Sequence, residues 1–113
     1  RLLDALAAGD TGYYRRFDWA AGEYRETHHV DPSALLVLEG VGAGNRTWSM
    51  LATTLVWVEA PPAVRLDRGI ARDGEAVRDR WLQWMADEQV LFAQEQTRER
   101  ADLLRDTSPA PLR

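Results

Sequence analysis

The apolar positions along the chain change their period several times, and each change marks an element. Leu2, Leu3 and Leu6 define one face of a short helix over residues 1–8, and Gly9 suits the left-handed residue that stops it. Residues 10–22 carry Tyr13, Tyr14, Phe17 and Trp19 without a single period and read as an aromatic-rich loop. Residues 23–30 alternate loosely, as a strand does, before Asp31-Pro32-Ser33 turns the chain. Ala34-Leu35-Leu36-Val37-Leu38 is continuously apolar, too short for a helix and bounded by turns. That pattern predicts a strand buried on both faces.

Gly40, Gly42 and Gly44 predict a flexible turn, and Asn45 caps a short helix running to about Leu51. A second buried strand is expected over residues 55–58. Pro61 and Pro62 then start a helix that reaches about Arg72 and breaks at Asp73-Gly74. A longer helix is predicted over 76–97, with Val77, Trp81, Trp84, Met85, Leu91 and Phe92 on its apolar side. Residues 101–104 form a last short strand, and a proline-containing tail runs from Ser108 to Arg113. Strand, helix, strand, helix, helix, strand is an α/β order with a mostly parallel sheet. Three buried strands are few for such a sheet, and the sequence opens in mid-helix pattern. The expectation is a piece of a longer domain, with at least two more strands preceding Arg1.

Composition narrows the function without naming it. The chain has 113 residues, 45% hydrophobic and 28% charged, an ordinary globular balance. A net charge of −4 argues against nucleic-acid binding through bulk charge. The absence of cysteine excludes disulfides and thiolate metal sites and fits a cytoplasmic protein. No apolar run approaches the roughly 20 residues of a membrane span. With a net charge of −4, any grouping of its arginines is a local feature and not part of a global basic patch.

One such cluster lies directly after the second predicted strand. Arg65, Arg68 and Arg72 stand at i, i+3 and i+7, within roughly 60° on one helix face, while Leu66 and Ile70 fall on the other. Guanidinium forks gathered at a strand-to-helix junction suit phosphate. The competing reading is a solvated face salted by Asp67, Asp73 and Glu75. Glu39 ends the Ala34–Leu38 run, at the strand rim where α/β proteins bind ligands; it is equally a solvent-facing strand-end acid. Gly40-Val41-Gly42-Ala43-Gly44 approaches a dinucleotide fingerprint, with Glu59 as the ribose acid. Asn45 replaces its last glycine, and the intervening helix is short for a crossover. His28 and His29 are adjacent, so a strand points them to opposite faces and they cannot share a metal.

The order of these pieces resembles the C-terminal part of the uridine kinase-like P-loop kinases. Tyr14-Arg15-Arg16-Phe17-Asp18-Trp19 is similar to their aromatic-Asp-aromatic substrate segment. Leu36-Val37-Leu38-Glu39-Gly40-Val41-Gly42 is similar to their strand ending in Glu-Gly. Leu55 to Pro61, followed by Arg65 to Asp73, is similar to their sheet strand and arginine-bearing lid over 62–75. Thr97 to Leu104 resembles the approach to their last strand. The resemblance implies a partial P-loop NTPase-type three-layer α/β sandwich whose N-terminal P-loop portion is absent. It implies transfer of the ATP γ-phosphoryl to a small-molecule hydroxyl with Mg²⁺. Arg65, Arg68 and Arg72 would then hold the nucleotide, and Arg68, Arg72 and Glu39 would serve catalysis. Tyr14, Arg16, Phe17 and Asp18, on the substrate-side segment 10–33, would bind the acceptor. The sequence holds no G-x-x-x-x-G-K-[ST], so the chain as given is expected to be inactive. Phe17 stands where uridine kinases usually carry Tyr. The alternatives are a non-catalytic α/β interaction module, docked on a partner or forming a homo-oligomer, and a dinucleotide-binding domain.

Overall fold

A computed structural model describes residues 2–110. Arg1 of the first predicted helix and residues 111–113 of the predicted tail lie outside the described residues. The architecture is α/β, with small sheets and five α-helices among the described residues. It divides into two units, residues 1–39 and 40–113.

The first unit is a helix and a β-hairpin. Helix α1 (Leu2–Ala7) ends at Gly9, whose φ of 84° is the left-handed stop expected of it. Strand β1 (Gly12–Asp18) then pairs antiparallel with β2 (Glu23–Val30). Residues 10–22 were expected to be a loop, and most of them are this strand. Both faces of the hairpin are largely solvent-exposed, so burial does not impose the period-2 pattern that would have announced β1. The hairpin is held instead by cross-strand rings. Tyr14 stacks on His28 at 5.2 Å and Tyr13 meets His29 edge-on at 5.3 Å. The two histidines therefore lie on opposite faces, each against its own tyrosine. Gly12 is buried against Leu2, where a Cβ would stand 2.8 Å from the Leu2 backbone oxygen.

The expected strand over Ala34–Leu38 is not formed. These residues have no regular secondary structure, with a bend at Ala34, and Leu35 and Val37 are almost four-fifths exposed (79% and 78%). A strand buried on both faces needs a neighbour for its backbone and cover for both sides, and among the described residues it has neither.

The second unit begins with the predicted glycine turn. Helix α2 (Arg46–Ser49) is capped by Asn45, whose side-chain oxygen accepts from the Thr47 N–H at 2.8 Å. Strand β3 (Val56–Glu59) leads through Pro61 into α3 (Pro62–Asp73), which Gly74 ends with φ 94°. A 3₁₀ turn (Glu75–Val77) precedes α4 (Arg78–Glu95), so the predicted long helix is interrupted at its start. Gln96, left-handed at φ 50°, separates α4 from α5 (Thr97–Arg100). Strand β4 (Leu103–Asp106) pairs parallel with β3, in register Val56 with Leu103 and Glu59 with Asp106. The parallel sheet expected from the element order is thus one pair of strands.

Packing in this unit centres on α4. Trp57 of β3 meets Phe92 edge-on at 4.6 Å, and Gly69 of α3 is buried against the Trp81 indole. Trp81, Met85, Glu88, Phe92 and Glu95, spaced as one helix face, are with Arg78 and Leu91 the better-covered residues of α4. Leu82, Trp84 and Val90 are exposed on its other sides. No hydrophobic residue among those described is fully buried, and β3, expected to be covered on both faces, leaves Val56 and Val58 half-exposed or more.

Candidate functional site

The first unit carries an open depression of 930 Å³ on its hairpin. A register irregularity between Arg15 and Phe17 places one extra residue on β2, because Arg15 pairs with Thr27 and Phe17 with Tyr24. Such a bulge re-aims the side chains beside it. Arg16, Arg25 and Glu26 stand at this irregularity, and all three line the depression. Phe17 sits at the centre of an aromatic group, edge-on to Trp19 at 4.9 Å and to Tyr24 at 5.1 Å. Arg15 lies over the Tyr24 ring and donates to the Tyr24 carbonyl.

Charges on the rim are mutually paired. Arg25 donates to Glu23 at 2.8 Å and lies 3.8 Å from Asp18, while Arg16 is 3.4 Å from Glu26. Asp18 also closes the hairpin tip: its Oδ1 accepts from the Ala20 and Ala21 N–H groups, both at 3.0 Å. One carboxylate oxygen of Asp18 is thus structural, while Oδ2 is the oxygen that faces Arg25. Glu39 completes the lining. Five residues singled out in the sequence, Tyr14, Arg16, Phe17, Asp18 and Glu39, therefore converge on one surface. Arg15, Trp19, Tyr24, Arg25 and Glu26 join them; recognising residues 12–18 as a strand would have located these additional residues.

The second unit carries the three arginines on α3, each differently engaged. Arg65 donates to Glu88 Oε2 at 2.8 Å, and that carboxylate is only 12% exposed. Arg72 reaches both oxygens of Asp73, at 2.8 and 3.0 Å, and lies 5.4 Å over the Trp81 ring. These contacts raise the Arg72 pKa and hold the Asp73 carboxyl below its usual range. Arg68 donates to the neutral Thr107 Oγ1 at 3.0 Å and to the Thr107 carbonyl. Of the three, Arg68 is the one whose hydrogen bonds go to neutral oxygens alone.

Glu59, the candidate ribose acid, is held by Arg98 in a two-pronged ion pair of 2.8 and 3.0 Å and also accepts from the Trp57 indole at 2.6 Å. Hydrogen bonding from Arg98 and then Trp57 lowers its pKa from 4.5 to about 2. Helix α2 has a single turn and residues 34–38 form no strand, so no strand-helix-strand unit surrounds the glycines. That geometry leaves the dinucleotide reading without a frame. Glu95, which the sequence did not mark, organises this region: its carboxylate accepts from Asn45 Nδ2 at 3.2 Å and the Arg46 N–H at 2.9 Å. Among the described residues no group of three or more His, Asp or Glu could hold a metal ion, and no helix is long and apolar enough to cross a membrane.

The Glu59 shift sets an acid limit. Its folded pKa lies below its unfolded value, so its contribution is fully present above about pH 4.5 and is lost as pH falls toward 2. Asp73, Glu75 and Asp106 shift in the same direction. The expected result is a melting temperature that is flat down to about pH 5 and then falls, with a smaller fall in Glu59→Gln. Equal acid sensitivity in the variant and the parent chain would show that Glu59 is not a source of it.

No protein-family model matches the sequence, and a search of curated proteins finds no relative.

Proposed function

We propose that this chain supplies the acceptor-binding surface and the arginine lid of an ATP-dependent kinase acting on a small-molecule hydroxyl. The observation that carries this reading is the convergence of Tyr14, Arg16, Phe17, Asp18 and Glu39 on the hairpin depression. Phe17, Trp19 and Tyr24 offer ring faces and edges to a planar or apolar acceptor body. Arg16 and Asp18 Oδ2 supply polar contacts at its rim. Glu39, which lines the same depression, would accept a hydrogen bond from the acceptor hydroxyl and so orient its oxygen. Arg65, Arg68 and Arg72 share one helix, and Arg68 has the fork best able to bind a phosphate oxygen.

ATP would supply the phosphoryl group, and Mg²⁺ would travel with its phosphates, needing only one or two carboxylates from the protein. Arg68 fits one phosphate. A full nucleotide cradle does not exist in these 113 residues, which hold no Walker A motif. It would have to come from other residues or another polypeptide, and the chain alone is accordingly expected to bind acceptor without turning over ATP.

The test is to titrate the chain with nucleosides, sugars and other hydroxyl-bearing metabolites while following backbone amide shifts. Shifts confined to residues 14–26 and 39 are expected. Phe17→Ala should weaken binding by about tenfold, since stacking on one aromatic ring is worth roughly 1–3 kcal/mol. Failure of every such compound to move the hairpin, or binding indifferent to Phe17, would refute the acceptor-site reading.

A second reading, an interaction module, is favoured by a separate observation: the amount of apolar surface left uncovered.

A further inference from the structure

Resting on the reading of the hairpin depression as an acceptor site, we propose that the acceptor carries an anionic group, a carboxylate or a phosphate, and that Arg16 binds it. Three arginines and three carboxylates line the depression, so its bulk charge selects nothing. The engagement of each arginine does. Arg15 is committed to its own hairpin, donating to the Tyr24 carbonyl and lying 5.8 Å over the Tyr24 ring. Arg25 donates through Nε to Glu23 at 2.8 Å and lies 3.8 Å from Asp18. Arg16 has Glu26 alone, through Nη1 at 3.4 Å, and both side chains are about two-thirds exposed (68% and 62%). A well-formed pair of this kind closes to roughly 2.7–2.9 Å, and an exposed pair contributes little.

The register irregularity is the reason that Arg16 is left over. Arg15 pairs with Thr27 and Phe17 with Tyr24, so Arg16 faces both Arg25 and Glu26 and has no single cross-strand partner. Turning Arg16 toward a ligand costs the hairpin little, because Glu26 keeps a second donor. His28 Nε2 lies 3.1 Å from Glu26 Oε2, the same oxygen that Arg16 faces. An ionised carboxylate only accepts, so this nitrogen carries the hydrogen and donates. The His28 ring is held in turn by stacking on Tyr14 at 5.2 Å. Glu26 therefore stays hydrogen-bonded after Arg16 leaves it. Arg16 Nε and Nη2 have no partner among the described residues, and together they form the planar fork that grips a carboxylate or phosphate at two points.

The three kinds of group in the depression then match three parts of one molecule. Phe17, Trp19 and Tyr24 meet its flat or apolar body. Glu39, which has no hydrogen-bond or ion-pair partner among the described residues, accepts from its hydroxyl. Arg16 takes its anion. The acceptor class is a ring-bearing alcohol with one acidic substituent, and a neutral alcohol of the same shape is the poorer ligand.

A matched set of small aryl alcohols tests this on the chain itself, with backbone amide shifts as the readout. The set is para-hydroxymethyl benzoate, para-hydroxymethyl phenylphosphonate, the neutral para-benzenedimethanol and the cationic para-(aminomethyl)benzyl alcohol. All should act on residues 14–26, and the better of the two anions should bind about three- to tenfold more tightly than the neutral compound at low salt. The ratio should shrink toward one in about 1 M salt. Which anion binds better separates a carboxylate from a phosphate acceptor. Arg16→Gln should bring the anionic and neutral affinities together. Glu26→Gln, which keeps the arginine and removes its competitor, should widen the ratio, and a narrowed ratio there counts against the proposal even if Arg16→Gln fails to fold. Equal affinity for anionic and neutral compounds overturns the proposal and leaves the acceptor site standing, whereas a hairpin unmoved by all four refutes the acceptor site itself. A preference for the cation, or an anion preference that survives Arg16→Gln, also overturns it.

Discussion

Gly69→Ala is expected to destabilise the packing of α3 on α4 by about 1–2 kcal/mol, against the direction that helix propensity alone dictates. In an exposed helix interior the substitution is worth roughly 1 kcal/mol of stabilisation, because alanine loses less backbone freedom on folding. Here the added Cβ would stand 2.6 Å from Trp81 Cε2 and 2.8 Å from Cδ2 and Cζ2. Carbon atoms in contact prefer about 3.5–4.0 Å, so the ring would have to move by about 1 Å. The indole is not free to do so. Its Nε1 donates to Asp73 Oδ2 at 3.0 Å, and the Arg72 guanidinium lies 5.4 Å over it. Overpacking of this kind costs roughly 1–3 kcal/mol, and the upper part of that range, less the propensity gain, leaves the stated loss. Urea unfolding followed by circular dichroism measures it. In a Trp81→Leu background the same substitution should be neutral or stabilising, which makes the two positions coupled by about 1–3 kcal/mol. A Gly69→Ala protein more stable than its parent would mean that Trp81 does not rest on Gly69.

Gly69 also illustrates where reading the sequence stops. A glycine inside a helical pattern signals close packing in general, but its partner is twelve positions away and only the fold names it. What the sequence announced is what local chemistry decides. Gly9 and Gly74 stop helices with positive φ, Asn45 caps α2 through its own side chain, and Pro62 opens α3. The α3 face was legible for the same reason, since spacing alone places Arg65, Arg68 and Arg72 together. Of their partners only one was: Asp73, an expected counter-ion, does pair with Arg72. Asp67 was an expected counter-ion, yet Arg65 pairs with Glu88 on the next helix and Arg68 with Thr107 beyond β4. Strands fared worse because a strand is completed by another strand. The hairpin was half seen, through β2, while solvent on both faces of β1 erased its alternation. The Ala34–Leu38 run carries a strand's composition without a strand's hydrogen bonds. Of the hairpin site, the Tyr14–Trp19 segment was legible as a group, whereas its meeting with Tyr24, Arg25 and Glu26 was not, because that depends on the pairing of β1 with β2.

The three arginines of α3 are expected to separate sharply when substituted one at a time. Arg65 donates to a carboxylate that is only 12% exposed, so Arg65→Ala leaves Glu88 poorly solvated without its ion-pair partner. Trp84 Nε1, 2.9 Å from Glu88 Oε1, compensates only in part. Arg65→Ala should therefore lower the melting temperature, and Arg65→Gln less so. Arg72 is already tied to Asp73 and Trp81, which makes part of its charge unavailable to a ligand. Arg68 is bonded to neutral oxygens and can exchange them for phosphate oxygens at little cost. A hydrogen bond from a charged donor is worth roughly 1.5–3 kcal/mol, or about 10- to 100-fold in affinity. Titration with inorganic tripolyphosphate, read by calorimetry, should show that loss for Arg68→Ala, with its melting temperature nearly unchanged. Arg72→Ala should fall between the other two in affinity. In a kinase assembled with its nucleotide cradle, the same Arg68→Ala change should reduce kcat by roughly 10²-fold, as removal of a donor to the transferred group does. Equal tripolyphosphate affinity in all three variants would make α3 a salted surface and would refute the lid reading.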